Sequence, residues 1–443
     1  MSQKIAIMSL GCPKNQCDAE LMLYKLREAG YELSEDVGRC DCAIVNTCGF
    51  IESAKSEAIE EIVELGKLKA EGRIQAIVVT GCLAERYRDD ILEEMPEVNA
   101  VIGIGANAAI ADVCRRALEG ERFSMYGEKS EHPMEGGRIQ STPPFYAYLR
   151  IADGCDNRCS YCAIPGIRGG FRSRPMENIV EEAKFMVSGG VKELILVAQD
   201  TTRYGEDLYG EAKLPALLNE LCKIDELVWI RLLYCYPDRV TDELLEVMAS
   251  QPKIVKYMDI PLQHCSENIL KAMNRRGSSE SLLALVERIR EKVPGIALRT
   301  TMMVGFPGET RKDIEELALF VRKARFEKLG VFVWSAEEDT PAYDLPGRVS
   351  EKEGNRRQDI IMEEQSRVID SHGEEMIGRE ITVVVEGFDR LAECCFGRSE
   401  QDAPDIDGKV FFSAEGKRMN AGDLVRVRIT DHMECDLVGE KAD

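Results

Sequence analysis

The sequence is poor in several features that would assign it to a class directly. Its 443 residues include 4 histidines and 2 tryptophans. No apolar run approaches the roughly 18 residues of a membrane span, and the apolar N-terminal segment IAIMSLG lacks the basic region and cleavage site of a secretory signal. Basic side chains are also in deficit, since 57 Lys and Arg stand against 79 Asp and Glu, for a net charge of −22. Direct nucleic-acid binding and membrane attachment are therefore not expected.

The composition is otherwise that of a soluble globular protein, with 44% hydrophobic and 31% charged residues. The length predicts about three domains. The 16 cysteines are the unusual feature. We expect a cytoplasmic protein, and in that compartment cysteines serve as metal ligands or reactive groups more often than in disulfides.

The first domain is predicted over residues 1–120. Buried strands are indicated at 4–11, 42–47, 75–81 and 100–105, and amphipathic helices lie between them, as at 18–29 and 52–69. This alternation predicts a doubly wound parallel sheet. Residues 121–140 are rich in Gly, Pro and Ser and are predicted to be a linker.

The second domain is predicted over residues 141–372. Its candidate strands are 145–151, 193–198, 228–235, 256–262, 296–304 and 329–335, separated by helical patterns such as 177–188, 266–274, 279–292 and 311–326. Six β/α units predict a partial (β/α)6 barrel of the TIM type, with reactive groups at the C-terminal ends of its strands. A polar helix follows at 352–371.

The third domain is predicted over residues 374–443. Short strand-like runs separated by turn signals predict a small antiparallel β-barrel of five strands, similar to TRAM and OB folds. It contains 17 acidic and 9 basic residues.

The motif GCDNRCSYC contains Cys155, Cys159 and Cys162 just past the first barrel strand. Three thiolates on one loop predict a [4Fe–4S] cluster in which one iron has an open position for a substrate. The alternative is a structural zinc site, but such sites favour four ligands and no fourth Cys or His stands nearby.

A second set of cysteines repeats at the spacing of one β/α unit. Cys12, Cys48 and Cys82 are 36 and 34 residues apart, and each follows a predicted strand of the first domain. The C-terminal ends of parallel strands converge on a ligand crevice, so we predict a second three-cysteine cluster. The alternative is that they are ordinary buried cysteines, which is how we interpret the ten cysteines outside this register.

The cysteine motif, the aromatic Tyr161 before its third cysteine and the six-unit barrel resemble the radical S-adenosylmethionine superfamily. The whole chain resembles its methylthiotransferases. The matching segments are SLGCPKN (9–15), VNTCGFI (45–51), GCLAERY (81–87), CAIPGIRGGFRSRP (162–175), LRTTMMVGFPGET (298–310) and GRSEQDAPDIDG (397–408). One departure is Cys17, which stands near the first ligand and is predicted to compete with Cys12 if the loop is mobile.

The resemblance implies a sulfur-group transferase with two [4Fe–4S] clusters that uses two molecules of S-adenosylmethionine. One methylates a sulfur held at the Cys12, Cys48 and Cys82 cluster; the other is cleaved at the second cluster to a radical that activates the substrate carbon. No protein acid or base is assigned. A reducing partner such as flavodoxin or ferredoxin is implied, and a sulfur donor is a further expected partner. A non-enzymatic iron–sulfur or zinc scaffold is the alternative from another class.

Polar residues at the barrel strand ends are candidates for cofactor contacts, together with Tyr161. The alternatives are an internal salt bridge for Arg231 and Asp200, a hydrogen-bonded barrel histidine for His264, and a simple turn for the GFPGE segment. The candidates are Tyr161, Gln199, Asp200, Arg231, Gln263, His264, Gly305 and Glu309.

The resembling family has two main branches, which modify either an aspartate of the twelfth small-subunit ribosomal protein, at its β-carbon, or an adenosine of tRNA. The acidic C-terminal domain complements a basic ribosomal protein, and PLQHCS (261–266) resembles that branch. Asp402, Asp405 and Asp407 are predicted to contact this substrate, although a solvated acidic turn is the alternative. The basic stretch IRGGFRSRP does not discriminate between the branches, and it is a candidate to face the cofactor carboxylate or a cluster.

Overall fold

The computed structural model describes residues 3–414 and 419–442. The N-terminal domain is a six-stranded sheet in these residues, with all neighbouring strands parallel in the order β2-β1-β3-β4-β5-β6. Its strands are β1 (Lys4–Ser9), β2 (Glu32–Leu33), β3 (Cys42–Thr47), β4 (Ala76–Gly81), β5 (Ala100–Ile102) and β6 (Phe123–Met125). Its helices are α1 (Pro13–Glu28), α2 (Glu52–Ala70), α3 (Cys82–Glu94) and α4 (Ile110–Leu118).

The sheet is covered on both faces, which confirms the doubly wound architecture. Every residue of β3 and β4 is buried, because parallel strands between two helical layers have no solvent face. Separate apolar clusters lie on the two sides of the sheet. The edge strands β2 and β6 are too short to give a periodic signal, and β6 lies inside the segment predicted as an aperiodic linker.

The central domain is a six-stranded parallel sheet in the order β14-β13-β12-β11-β10-β7, which confirms the partial barrel. Its strands are β7 (Tyr146–Arg150), β10 (Glu193–Val197), β11 (Trp229–Leu232), β12 (Ile254–Asp259), β13 (Ala297–Val304) and β14 (Lys328–Val333), and β8 (Ala152–Asp153) and β9 (Arg172–Ser173) pair outside it. The helices are α5 (Ile164–Arg168), α6 (Met176–Ser188), α7 (Glu206–Tyr209), α8 (Leu214–Cys222), α9 (Asp242–Ser250), α10 (Glu267–Ala272), α11 (Ser279–Lys292) and α12 (Arg311–Ala324).

Helix α13 (Glu351–Met376) leads from the central domain to a closed barrel of five strands in the described residues. The strands are β15 (Glu380–Asp389), β16 (Cys394–Ser399), β17 (Val410–Ser413), β18 (Leu424–Met433) and β19 (Asp436–Lys441). The closed five-stranded barrel is confirmed. The prediction of purely antiparallel pairing is wrong for one pair, because β17 and β19 run parallel to close the barrel.

The other two domains cover different parts of the central sheet. The C-terminal barrel inserts Val384 and Ala403 into the apolar cluster inside the central barrel, near the N-terminal ends of its strands. Helix α1 of the N-terminal domain packs against the edge strand β7. The C-terminal ends of the central strands are thereby left facing the cysteine-bearing loops of the N-terminal domain. Within the described residues, no helix is both long and apolar enough to cross a membrane.

Candidate functional site

The three cysteines of the N-terminal domain lie together at the C-terminal edge of its sheet. Cys12 precedes α1, Cys48 follows β3, and Cys82 is the first residue of α3. Gly11 makes this approach possible, because a Cβ at its position would lie 2.6 Å from Cys48 Cβ and 3.0 Å from its Sγ. Gly11 also has φ +89°, a conformation that favours glycine. The structure therefore places these three cysteines together at one edge of the sheet, as the sequence predicted.

Two cations act on this N-terminal triplet. Burial opposes ionisation of Cys12, but the charges of Lys14 and Arg168 outweigh it and hold the pKa of Cys12 below its usual value. At Cys82 burial prevails and raises the pKa to about 12, although Arg168 Nη2 lies 3.9 Å from its Sγ. Burial also raises the pKa of Cys48, and the neighbouring Cys12 adds to that shift. A metal bound by these thiols would therefore have to displace protons from Cys48 and Cys82.

The second triplet lies on the loop that follows β8. Cys155 Sγ accepts a hydrogen bond from the Asn157 amide at 3.5 Å, and Arg275 Nη1 lies 3.7 Å from Cys159 Sγ. Burial raises the pKa of Cys155 to about 11 and that of Cys162 to about 12. Arg275 stands at this triplet as Arg168 does at the first, and no motif in the sequence identified it.

Each triplet offers three largely buried thiols as a donor set. In a cubane each thiolate ligates a different iron, so the sulfur atoms stand apart across the cluster. The thiols of each triplet could therefore hold an iron–sulfur cluster with one open iron. Among the described residues, no group of three His, Cys, Asp or Glu side chains is compact enough to hold one metal ion.

The two triplets meet at one domain interface. Cys82 packs against Ala163, which directly follows Cys162 along the chain, and against Ile167 of α5. Arg168 lies in the same contact and donates to Asn15 Oδ1 at 2.7 Å. The basic stretch containing Arg168 thus faces the N-terminal triplet, one of the two placements that the sequence analysis considered.

A buried ionic network missed by the sequence analysis holds this interface. Arg168 pairs with Asp153 at 3.1 Å and with Asp18 of α1 at 2.8 Å. Asp18 also contacts His132 at 2.9 Å and pairs with Arg150. These charges outweigh burial and lower the pKa of Asp18 strongly and that of Asp153 to about 2. Both carboxylates are therefore ionised and fix the two domains in one arrangement.

A second ionic cluster also joins the two domains. Glu337, in the loop after β14, lies 3.1 Å from Lys55 of α2 and 2.9 Å from Arg86 of α3. The Glu337 and Arg86 side chains are 3% and 7% exposed. Since α2 follows Cys48 and α3 begins at Cys82, Glu337 positions both cysteines against the barrel.

Several predicted cofactor residues do lie at the C-terminal strand ends. Gln199 donates to Asp153 Oδ1 at 2.8 Å, and its own buried Oε1 has no hydrogen-bond partner among the described residues. Asp200 accepts from Asn157 at 2.9 Å, next to Cys155, and burial raises its pKa. Tyr161 packs with Phe306 beside the second triplet.

The residues that end β12 and β13 form a related group. His264 Nε2 and Glu309 Oε2 are 3.4 Å apart, and neither atom makes a hydrogen bond with another described residue. Glu309 Oε1 accepts from the Gly305 amide at 2.8 Å and from Arg357 at 2.7 Å. Gln263 has φ +73° and joins the edge of the same sheet through a bridge to Met302. Unpartnered buried polar atoms of this kind are suited to bind a polar ligand.

Arg231 does not join this group. Its guanidinium pairs with Glu193 at 2.7 Å and donates to the Glu400 carbonyl of the C-terminal barrel at 2.9 Å. The salt-bridge alternative therefore describes Arg231, although with Glu193 instead of Asp200. We withdraw Arg231 as a cofactor contact, because its donors are engaged at the opposite end of the central barrel.

The acidic loop of the C-terminal barrel is also placed differently from the prediction. Asp402 pairs with Lys328 at 2.6 Å, and Asp407 accepts from the Tyr257 hydroxyl at 2.7 Å. Their side chains are 5% and 2% exposed, so neither is available to a substrate. The substrate contact predicted for them is corrected to a role in attaching the barrel. Asp405 alone of the three is exposed.

Cys17 is not a competing ligand. It is buried in the apolar cluster inside the central barrel, and its Sγ lies 3.7 Å from the Tyr148 carbonyl, to which it donates. Burial raises its pKa to about 11. Cys17 lies five residues after Cys12, so its side chain points to the other side of the start of α1.

Comparison with known families accounts for all three domains. Residues 149–321 match the Radical SAM superfamily, residues 4–103 match Uncharacterized protein family UPF0004, and residues 377–441 match the TRAM domain. With the six-stranded partial barrel and its cysteine loop, these matches define a three-domain protein whose central domain is of the radical S-adenosylmethionine class.

Full-length relatives define the family more closely. The chain is 47% identical to the ribosomal protein uS12 methylthiotransferase RimO of Lachnoclostridium phytofermentans, over 98% of this chain and 99% of the relative. It is 49% identical to the protein of that name from Pelotomaculum thermopropionicum and 46% identical to that of Geobacter sulfurreducens, each over 99% of this chain and 98–99% of the relative. The chain belongs to the ribosomal protein uS12 methylthiotransferase family.

Solved structures support the fold alone. The radical S-adenosylmethionine methyltransferase TsrM of Kitasatospora setae, with cobalamin and a [4Fe–4S] cluster bound, aligns with a TM-score of 0.53 at 15% identity, over 77% of each chain. The cobalamin-dependent radical enzyme OxsB aligns with a TM-score of 0.52 at 14% identity, over 82% of this chain and 56% of that one.

Proposed function

We propose that the protein transfers a methylthio group to the β-carbon of an aspartate in ribosomal protein uS12. The observation that carries the proposal is the packing of Cys82 against Ala163 and Ile167, which brings a cysteine from each domain's ligand set to one interface. The full-length relatives support the substrate, since they are named as uS12 methylthiotransferases. The assignment of the β-carbon of an aspartate as the modified atom comes from the family resemblance of the sequence.

The six cysteines are the residues that would hold two [4Fe–4S] clusters, one on each triplet. When bound, the clusters and two S-adenosylmethionine molecules supply a one-electron radical activation of carbon and the methylated sulfur that is transferred. Lys14, Arg168 and Arg275 supply positive charge to the thiolates. They reduce the cost of ionising buried cysteines.

The chain also supplies binding groups and a wall that excludes water. Gln199 Oε1, His264 Nε2 and Glu309 Oε2 are buried and make no hydrogen bond among the described residues, so each is available to a polar part of S-adenosylmethionine. Tyr161, Phe306 and Trp334 form an apolar wall beside the second triplet. Exclusion of water by such a wall protects a reactive species. No side chain is assigned as a general acid or base.

The reaction also requires partners from outside the chain. We propose a small reducing protein, such as a flavodoxin or ferredoxin, and a sulfur donor as further partners. A ribosomal protein substrate supports a cytoplasmic location.

The direct test uses the reconstituted, reduced enzyme with S-adenosylmethionine and either purified uS12 or tRNA. We expect a mass gain of one methylthio group on uS12 and formation of 5′-deoxyadenosine. A gain on tRNA alone would replace this proposal with the tRNA branch. Absence of 5′-deoxyadenosine under reducing conditions would favour a non-enzymatic scaffold.

A further inference from the structure

A cleft of about 810 Å³ lies beside the two cysteine triplets and has no role in the functions described above. It is bounded by α2 and α3 of the N-terminal domain and by the loop that follows β14. Its lining includes the apolar side chains of Ile59, Leu83, Ile91, Met95, Tyr87 and Tyr343. Ile59 is 44% exposed, so an apolar surface is open at this point.

The cleft is connected to both triplets through the backbone. Leu83, in its lining, directly follows Cys82. Tyr343, also in its lining, follows Ala342, whose amide donates to the Ser160 carbonyl at 2.8 Å between Cys159 and Tyr161. A chain bound in the cleft therefore lies next to the interface where the triplets meet.

The rim of the cleft is acidic. Asp90, Glu93, Glu94 and Glu338 are exposed, and none of them pairs with a cation among the described residues. The remaining rim carboxylate, Glu52, pairs with Lys55 at 2.6 Å. The one exposed cation of the lining, Arg348, lies over the Tyr343 ring. The rim therefore carries an excess of negative charge that is not neutralised within the chain.

Three of these carboxylates follow a break in α3. Arg88 has φ +41° and ψ −116° inside the helix, a conformation that is strained for a residue other than glycine. Glu85 holds this residue through an ion pair of 2.9 Å. The turn after the break contains Asp90, Glu93 and Glu94.

We propose that this cleft binds a basic segment of the protein substrate beside the modified residue. The inference rests on the proposed function, because its occupant is uS12. Ribosomal proteins are strongly basic, so Lys and Arg side chains would meet the unpaired rim carboxylates while their aliphatic parts cover the apolar floor. The C-terminal barrel is acidic too, but its buried aspartates bind the central domain instead.

The test compares two triple variants of the reconstituted enzyme. Asp90→Asn, Glu93→Gln and Glu94→Gln together neutralise the rim. The control variant, Asp225→Asn, Glu226→Gln and Glu291→Gln, removes the same charge from exposed residues that precede strand starts, at the other end of the central barrel. Fluorescently labelled uS12 is the probe, and anisotropy gives the Kd over a range of salt concentrations.

We expect the rim variant to raise the Kd about tenfold and to flatten its salt dependence, while the control stays near wild type. Formation of 5′-deoxyadenosine without uS12 should be the same in all three proteins. An unchanged Kd in the rim variant, or equal weakening of binding in both variants, would contradict binding of uS12 in the cleft. The proposed function would still hold in that case, provided that the wild type modifies uS12. If the wild type neither binds nor modifies uS12, both the proposed function and the proposal that uS12 binds in the cleft are wrong.

Discussion

Glu337 lies 2.9 Å from Arg86, and this buried ion pair joins the loop after the last strand of the central barrel to the helix that begins at Cys82. Burial opposes ionisation of Glu337, but hydrogen bonds from Ser335, Arg86 and Lys55 lower its pKa. The alignment of the two cysteine triplets therefore depends on a carboxylate that belongs to neither of them.

Glu337→Ala should lower the free energy of unfolding by about 3 kcal/mol, because it leaves Lys55 and Arg86 buried without their shared partner. It should also reduce methylthio transfer more than 5′-deoxyadenosine formation, since the triplets lose their alignment. Denaturant titration and product chromatography measure the two effects. The control Glu119→Ala breaks an exposed pair with Arg115 and should cost less than about 1 kcal/mol. Equal loss of both products would contradict a positioning role.

Replacing the cysteines by alanine should separate the two half-sites. The protein reconstituted under anaerobic conditions should contain about eight irons, and each triple variant about four. Loss of Cys155, Cys159 and Cys162 should abolish 5′-deoxyadenosine. Loss of Cys12, Cys48 and Cys82 should spare it but block methylthio transfer. Iron and sulfide analysis measures the cluster content, and chromatography measures 5′-deoxyadenosine. Abolition of 5′-deoxyadenosine in both variants would argue against separate roles for the two triplets.

Asp153 should make the protein sensitive to acid. The charge of Arg168 contributes to holding its pKa at about 2, below the usual value of 3.8 for aspartate, despite its burial. The folded state therefore gains stability from this carboxylate above about pH 4, and loses it as the pH falls toward 2. Between pH 7 and pH 3 the loss should be about 1 kcal/mol.

Asp153→Asn removes that titration, so its free energy of unfolding should change less between pH 7 and pH 3 than that of the wild type. Denaturant titration at the two pH values measures the difference. Asp405→Asn, at an exposed position, is the control and should keep the wild-type pH dependence. An identical pH dependence of the free energy of unfolding in wild type and Asp153→Asn would contradict the prediction.

Asp402→Ala should destabilise the attachment of the C-terminal barrel without affecting substrate affinity. It leaves the Lys328 ammonium without its partner at 2.6 Å, at a cost of about 3 kcal/mol. The Kd for labelled uS12, measured at a temperature where the variant is folded, should equal that of the wild type. A raised Kd with unchanged stability would restore Asp402 as a substrate contact.

The sequence predicted the strands and the cysteine register because both arise from local periodicity. Fully buried strands such as β3 and β4 are continuous apolar runs, and the repeat of Cys12, Cys48 and Cys82 follows the length of a β/α unit. The strands β2 and β6 were missed because two or three residues contain no period. The C-terminal barrel contains one parallel pair among antiparallel ones because the sheet closes on itself. The sequence of a single strand does not encode that closure.

The interface residues were not predictable because their partners are far apart in the chain. Asp18 and His132 are separated by 114 residues, and Arg86 and Glu337 by 251. Charge counting also misplaced Asp402, since net charge does not reveal which carboxylates point inward. Arg231 was misassigned for the same reason, as its partner Glu193 and the carbonyl of Glu400 are brought to it only by tertiary packing.

Helix α1 has a consequence for how this enzyme is inherited. It supplies Asp18 to Arg150 and Arg168 of the central domain, and both guanidinium groups are almost completely buried. A gene fragment encoding the central barrel alone would uncover this face and leave both guanidinium groups without the carboxylate of Asp18. Recombination that exchanges either domain must therefore bring a matching carboxylate, which ties the ancestry of the two coding segments together.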